Sequence, residues 1–154
     1  MSGRRRGFTL LEIMIVIVII GILARIAIPK AQALKDRATA ARLIGAITVV
    51  RHAAFSYFES NTKWPATTGT GTVPAGLAVF LPSNFTFTQK DVKLAWQLFT
   101  VTSGRTTTQY AIIKSYPTNA KVCPKLYALL GGSRNPNVVA ACTGTARVDF
   151  YVDR

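Results

Sequence analysis

"GFTLLEIMIVIVIIGILARIAIP" fills residues 7–29. From Phe8 to Ile28 only Thr9, Glu12 and Arg25 interrupt the apolar character. A helix rises about 1.5 Å per residue, so this run spans about 30 Å, the thickness of a bilayer's hydrocarbon core. Arg4, Arg5 and Arg6 lie on its N-terminal side, which by the positive-inside rule keeps that end in the cytoplasm. An ordinary secretory signal peptide has the same outline, and Ala31-Gln32-Ala33 offers a signal-peptidase site. Glu12 argues against it. A carboxylate in hydrocarbon costs roughly 2.5–3.5 kcal/mol, and ionisable groups at membrane depth usually mark function. The run is also longer than a typical signal-peptide core.

"RRRGFTLLEIMIVIVIIGILARIAIP" resembles the N-terminal signature of type IV pilins and of the related pseudopilins of type II secretion. In that family a short basic leader ends in Gly, and a prepilin peptidase cuts before an apolar residue and N-methylates the new amine. Carried over, the resemblance makes Gly7 the last leader residue, Phe8 the methylated N-terminus and Glu12 the assembly glutamate. Gly21 and Pro29 fall where the family weakens its helix, and a helix break is expected there. The match covers about the first 30 residues of the chain. The implied domains are a leader at 1–7, a transmembrane and assembly helix at 8–29, an amphipathic helix at 30–60 and a globular head at 61–154.

The resemblance also gives the carboxylate a physical role. Cleavage leaves a cationic amine on Phe8, and in a helical filament another subunit's Glu12 would sit beside it. Opposite charges attract far more strongly at low dielectric than in water. A lone subunit in lipid has no comparable partner, so joining the stack relieves the cost and sets the register.

Beyond the anchor, "KAQALKDRATAARLIGAITVVRHAAFSYFES" places Ala40, Leu43, Ile47, Val50, Ala54 and Tyr57 at spacings of three and four, on one stripe of a helix. Residues 61–82 read as a connector rich in Thr, Gly and Pro. Strands are expected at 85–88, 93–102, 109–116 and 146–152, with a turn at 103–105 making a hairpin. Pro124 can open a short helix through Leu130, which Gly131-Gly132 stops. The class is α+β: a long N-terminal helix packed on a small antiparallel sheet, as the pilin fold implies.

Cys123 and Cys142 make one candidate disulfide for a head outside the cytoplasm. The alternative is two buried thiols. The short helix after the first cysteine looks like type IVb pilins, the short leader and Phe8 like type IVa, and the subclass stays open. His52 is the only histidine, and no zinc set forms around it. The six acidic residues show no close pairing, and no catalytic triad, metal motif or phosphate loop appears; "TGTG" at 68–71 lacks the following Lys-Ser/Thr. No catalytic residue, cofactor or metal is expected, and the chain reads as a structural subunit rather than an enzyme.

The formal net charge is +13, and removal of the leader takes away only three arginines. Such a surface could hold nucleic acid or anionic surfaces through phosphate contacts. A dispersed, solvated positive surface is the simpler reading. The resemblance therefore implies a filament subunit, held in the bacterial inner membrane with its N-terminus cytoplasmic and its head periplasmic until it is assembled into a pilus at the cell surface. Its partners would be copies of itself, other pilins, the prepilin peptidase and an inner-membrane assembly platform. The alternatives are a type II secretion pseudopilin and a minor pilin of a DNA-uptake pilus. A long Asp-rich calcium loop would favour secretion, and the C-terminal part holds only Asp149 and Asp153.

Overall fold

A computed structural model describes residues 8–143 and 145–152. Gly7 and the rest of the expected leader lie outside the described residues. Two compact units make up the chain, the first ending at Lys35 and the second beginning at Asp36.

Helix α1 spans Leu10–Asn61. From Leu10 to Ile28 it is apolar on every side apart from Glu12 and Arg25, as expected of a segment that meets lipid or other helices all round. Among the described residues it is long and apolar enough to cross a membrane, and its most apolar window is 0% buried. The break expected at Gly21 and Pro29 is absent: both lie inside the continuous helix. Pro29 forfeits one hydrogen bond, to the Arg25 carbonyl, at a cost of about 3 kcal/mol. The good helix formers on both sides carry the helix past it.

In the second unit α1 turns amphipathic. Ala40, Leu43, Ile47, Val50 and Ala54 are buried as the stripe requires, Thr39, Ala46 and Ala53 widen it, and Tyr57 packs at its margin. The helix ends where Thr62 takes a left-handed backbone (φ 55°) and its N–H returns to the Phe58 carbonyl at 2.7 Å.

The sheet has five antiparallel strands: β1 (Thr88–Gln89), β2 (Val92–Ser103), β3 (Thr106–Pro117), β4 (Val138–Ala141) and β5 (Arg147–Tyr151), in the order β1-β2-β3-β5-β4. β2 and β3 form the expected hairpin, paired from Val92–Pro117 to Ser103–Thr106. Gly104 in its turn has a φ of 62°, which favours glycine. Helix α2 spans Val122–Leu129, close to the expected position. Leu94, Trp96, Ile113, Val148 and Phe150 face α1 and α2 in one core.

One expectation is corrected, and two features come in addition. The strand at 85–88 retains only Thr88, because Asn84 is left-handed (φ 73°) and Phe85 N–H turns back to the Pro82 carbonyl. Phe87 is instead driven fully into the core, with Phe85 edge-on to it. Strand β4 went unread; it follows an Asn turn in which Asn135 Oδ1 accepts the Asn137 N–H. The connector at 61–82 also contributes to the core. Trp64, Leu77 and Leu81 are core residues, and the buried Trp96 indole donates to the Pro65 carbonyl at 2.9 Å.

Candidate functional site: the N-terminus of the long helix

Phe8 and Thr9 precede the first helical residue, Leu10. Thr9 Oγ1 accepts the Glu12 backbone N–H at 3.2 Å, and the Thr9 carbonyl accepts the N–H groups of Glu12 and Ile13 at 3.1 and 3.3 Å. Thr9 is thus the N-cap and Glu12 the third residue of the helix, the spacing of a capping box. The signal, Thr9-x-x-Glu12, stands in the sequence but was not read there. It accounts locally for a Thr and a Glu in an apolar run, since a carboxylate in the first turn also suits the positive end of the helix dipole.

Capping does not need so apolar a setting. Phe8 is 78% exposed, and nearly every large side chain from Leu10 to Ile28 is exposed with it. Gly21 gives the same impression, because a Cβ built on it meets nothing within 4 Å. The chain's own packing therefore does not call for a glycine there. Arg25 is exposed one turn before Pro29. The structure thus gathers Phe8 and Glu12 at one helix end, keeps Gly21, Arg25 and Pro29 further along the same helix, and among the described residues leaves the apolar window of that helix 0% buried.

In the head, Cys123 and Cys142 are joined by a disulfide. His52 is exposed on α1, and no cluster of metal-ligating side chains occurs among the described residues. Three carboxylates of the second unit face cations: Arg42 lies 3.4 Å from Asp91, Lys125 3.1 Å from Asp36 and Arg147 2.9 Å from Asp149. The last contact is coulombic, for neither Arg147 Nε nor Asp149 Oδ1 has a well-aligned hydrogen bond. Burial pushes the Asp149 carboxyl above its ordinary value, although Arg147 and Lys114 pull the other way.

The prokaryotic N-terminal methylation motif matches residues 2–27. In this segment the chain is similar to type IV pilins and type II secretion pseudopilins. The type II secretion system core protein G of Klebsiella michiganensis is 43% identical over 63 residues, 41% of this chain and 44% of the relative. That of Escherichia coli K12 is 41% identical over 66 residues, 43% and 46% of the two chains. The type IV major pilin protein PilE1 of Neisseria gonorrhoeae is 40% identical over 65 residues, 42% and 39% of the two. The chain thus spans less than half the length of the curated relatives it matches. No solved structure matches it. A long N-terminal helix with a small antiparallel sheet is the α+β arrangement of a pilin fold.

Proposed function

We propose that this protein is a structural, non-enzymatic subunit of a type IV pilus-like filament. The observation that carries the reading is Glu12 in the first turn of a helix that starts two residues after Phe8 and is exposed and, apart from Arg25, apolar from Leu10 to Ile28. In this reading residues 1–7 are removed by a prepilin peptidase, which cuts between Gly7 and Phe8 and methylates the Phe8 amine. The freed amine and Glu12 of a neighbouring copy neutralise each other. Residues 8–29 anchor the subunit in the inner membrane, with the head on the periplasmic side, until an assembly platform stacks the helices into the filament core. The exposed surface of α1 supplies the driving force, at about 25 cal/mol per Å² of apolar area exchanged from water, and less when it is exchanged from lipid.

Intact-mass analysis of the envelope protein tests the first step. The chain is expected to begin at methylated Phe8, and Gly7→Val to retain its leader and not assemble. A mature chain starting at Leu34 would establish signal-peptidase processing instead.

The likeness to core protein G favours a second reading, a pseudopilin of type II secretion. The scarcity of acids near the C-terminus weighs against it, since Asp149 is already held by Arg147. Deleting the gene decides between them: loss of surface filaments with secretion intact supports the pilus, and the reverse supports the pseudopilus.

A further inference from the structure

The face of the sheet turned away from α1 has a composition the filament reading does not use. Register places Phe99 directly opposite Tyr110, Lys93 opposite Tyr116, and Ile112 opposite Tyr151. Side chains two apart on a strand share a face, so these aromatics lie together with Lys114 and Arg147 on the side opposite Trp96, Ile113, Val148 and Phe150. Phe99 is 55% exposed, Tyr110, Tyr116 and Tyr151 are half-buried, and Lys93 is exposed. Among the described residues this face carries one carboxylate, Asp149, which is buried and faces two cations, Arg147 beside it on β5 and Lys114 directly across on β3. Arg105 lies in the hairpin turn. Along this face of the hairpin, Tyr116 lies beside Lys93, Lys114 stands between Tyr116 and Ile112, and Phe99 pairs with Tyr110 nearer the turn.

We infer that this sheet face binds single-stranded nucleic acid, the rings stacking on bases while Lys93 and Lys114 hold phosphates. Charge complementarity sets the class of partner. A second copy of the mature chain, whose net charge is +10 once the three leader arginines are gone (13 − 3), is repelled by a positive face, whereas a polyanion is drawn to it. The aromatics narrow the class further. Bases offer flat π faces to any exposed ring when the strand is unpaired, and a duplex hides them. An anionic glycan would use the cations but not the alternation of cation and ring. This role is independent of whether the chain builds a pilus or a secretion pseudopilus.

The test is titration of the full mature chain, in detergent micelles, into fluorescein-labelled oligothymidylate at several salt concentrations. Phe99→Ala and Tyr110→Ala should each weaken binding about tenfold, the scale of one lost base stack, and Phe99→Tyr should restore it. Lys93→Ala should weaken binding and flatten the salt slope by about 0.7, the value of one phosphate contact to a single strand. Arg37→Ala, which removes an equal charge from α1, should change neither quantity as much. Near-ultraviolet circular dichroism matching the parent confirms that each variant is folded. No binding of the oligonucleotide overturns the inference. So does equal competition by duplex or dextran sulfate with Phe99→Ala unaffected, which would reduce the effect to dispersed charge.

Discussion

Lys125 Nζ stands 3.1 Å from Asp36 Oδ2, while Asn119 Nδ2 donates to the other oxygen of the same carboxylate at 3.2 Å. One side chain on α1 thereby holds both α2 and the residues leading into it, 83 and 89 positions away in sequence. Asp36 is 15% exposed and Lys125 30%, between a surface pair worth under about 1 kcal/mol and a buried pair whose breakage costs 3–5 kcal/mol.

Asp36→Ala should therefore lower the stability of the head by about 1–2 kcal/mol. Asp36→Asn retains an acceptor for Asn119 and should cost less. Urea unfolding followed by tryptophan fluorescence reads both, since Trp64 and Trp96 are buried together in this unit. An unchanged midpoint for Asp36→Ala would show that the contact is incidental.

The disulfide closes a loop with a sequence separation of 19 and ties the start of α2 to the chain just past β4. Replacing Cys123 and Cys142 together by Ser should destabilise the head by about 3 kcal/mol, chiefly by freeing the unfolded chain. Amides of the edge strand β4 should lose hydrogen-exchange protection before those of β2 and β3. Membrane insertion should not change, because residues 8–29 contain no cysteine. Uniform loss of protection across the sheet would refute this local role.

Asp149 makes stability depend on pH in an unusual sense. Its folded carboxyl titrates above the ordinary value of 3.8, with burial as the largest cause. Between 3.8 and the folded value, the folded chain holds the proton that the unfolded chain has released. Stability from this group is thus fully present below 3.8 and falls as pH rises through the folded value. Against Asp149→Asn, which does not titrate, the parent should be relatively more stable in acid than at neutral pH. Thermal melts of both proteins at the two ends of this window measure it. A relative gain with rising pH would mean that attraction to Arg147 and Lys114 outweighs burial.

How much of this was readable in advance depended on whether a signal was local. The stripe from Ala40 to Ala54 was legible because a helix repeats every 3.6 residues, and Glu12 because a charge in an apolar run is conspicuous. Trp64 and Leu77 gave no warning. They enter the core from a stretch without periodicity, tethered by contacts such as Trp96 to Pro65 that join residues 31 apart. Strand β4 is four residues long, too short to show alternation, and exists because β5 pairs with it. At the site, Thr9 was missed although its spacing to Glu12 was in plain view. The aromatic and basic face of the sheet could not be seen at all, because it requires the register of β2, β3 and β5.

The two charges in the apolar helix should behave differently in assembly. Glu12 has a partner in the filament reading, the Phe8 amine of a neighbour, so Glu12→Ala should abolish filaments while leaving monomer in the membrane. Arg25 has none on this part of the chain. In a monomer its guanidinium can snorkel to the interface, but among packed helices it would be buried at a cost of several kcal/mol if unpaired. The helix is continuous through this point, yet Pro29 has no N–H to give the Arg25 carbonyl. Unwinding between Gly21 and Pro29 therefore costs least here, and it would free further carbonyls to accept from the guanidinium. On that argument Arg25→Ala should assemble normally or better. Gly21→Ala, harmless in the free helix because its Cβ meets nothing within 4 Å, should slow assembly by stiffening the segment. Electron microscopy of sheared filaments, with immunoblots of membrane-held subunit, separates assembly from expression. Filaments from Glu12→Ala together with none from Arg25→Ala would reverse the roles assigned to the two charges.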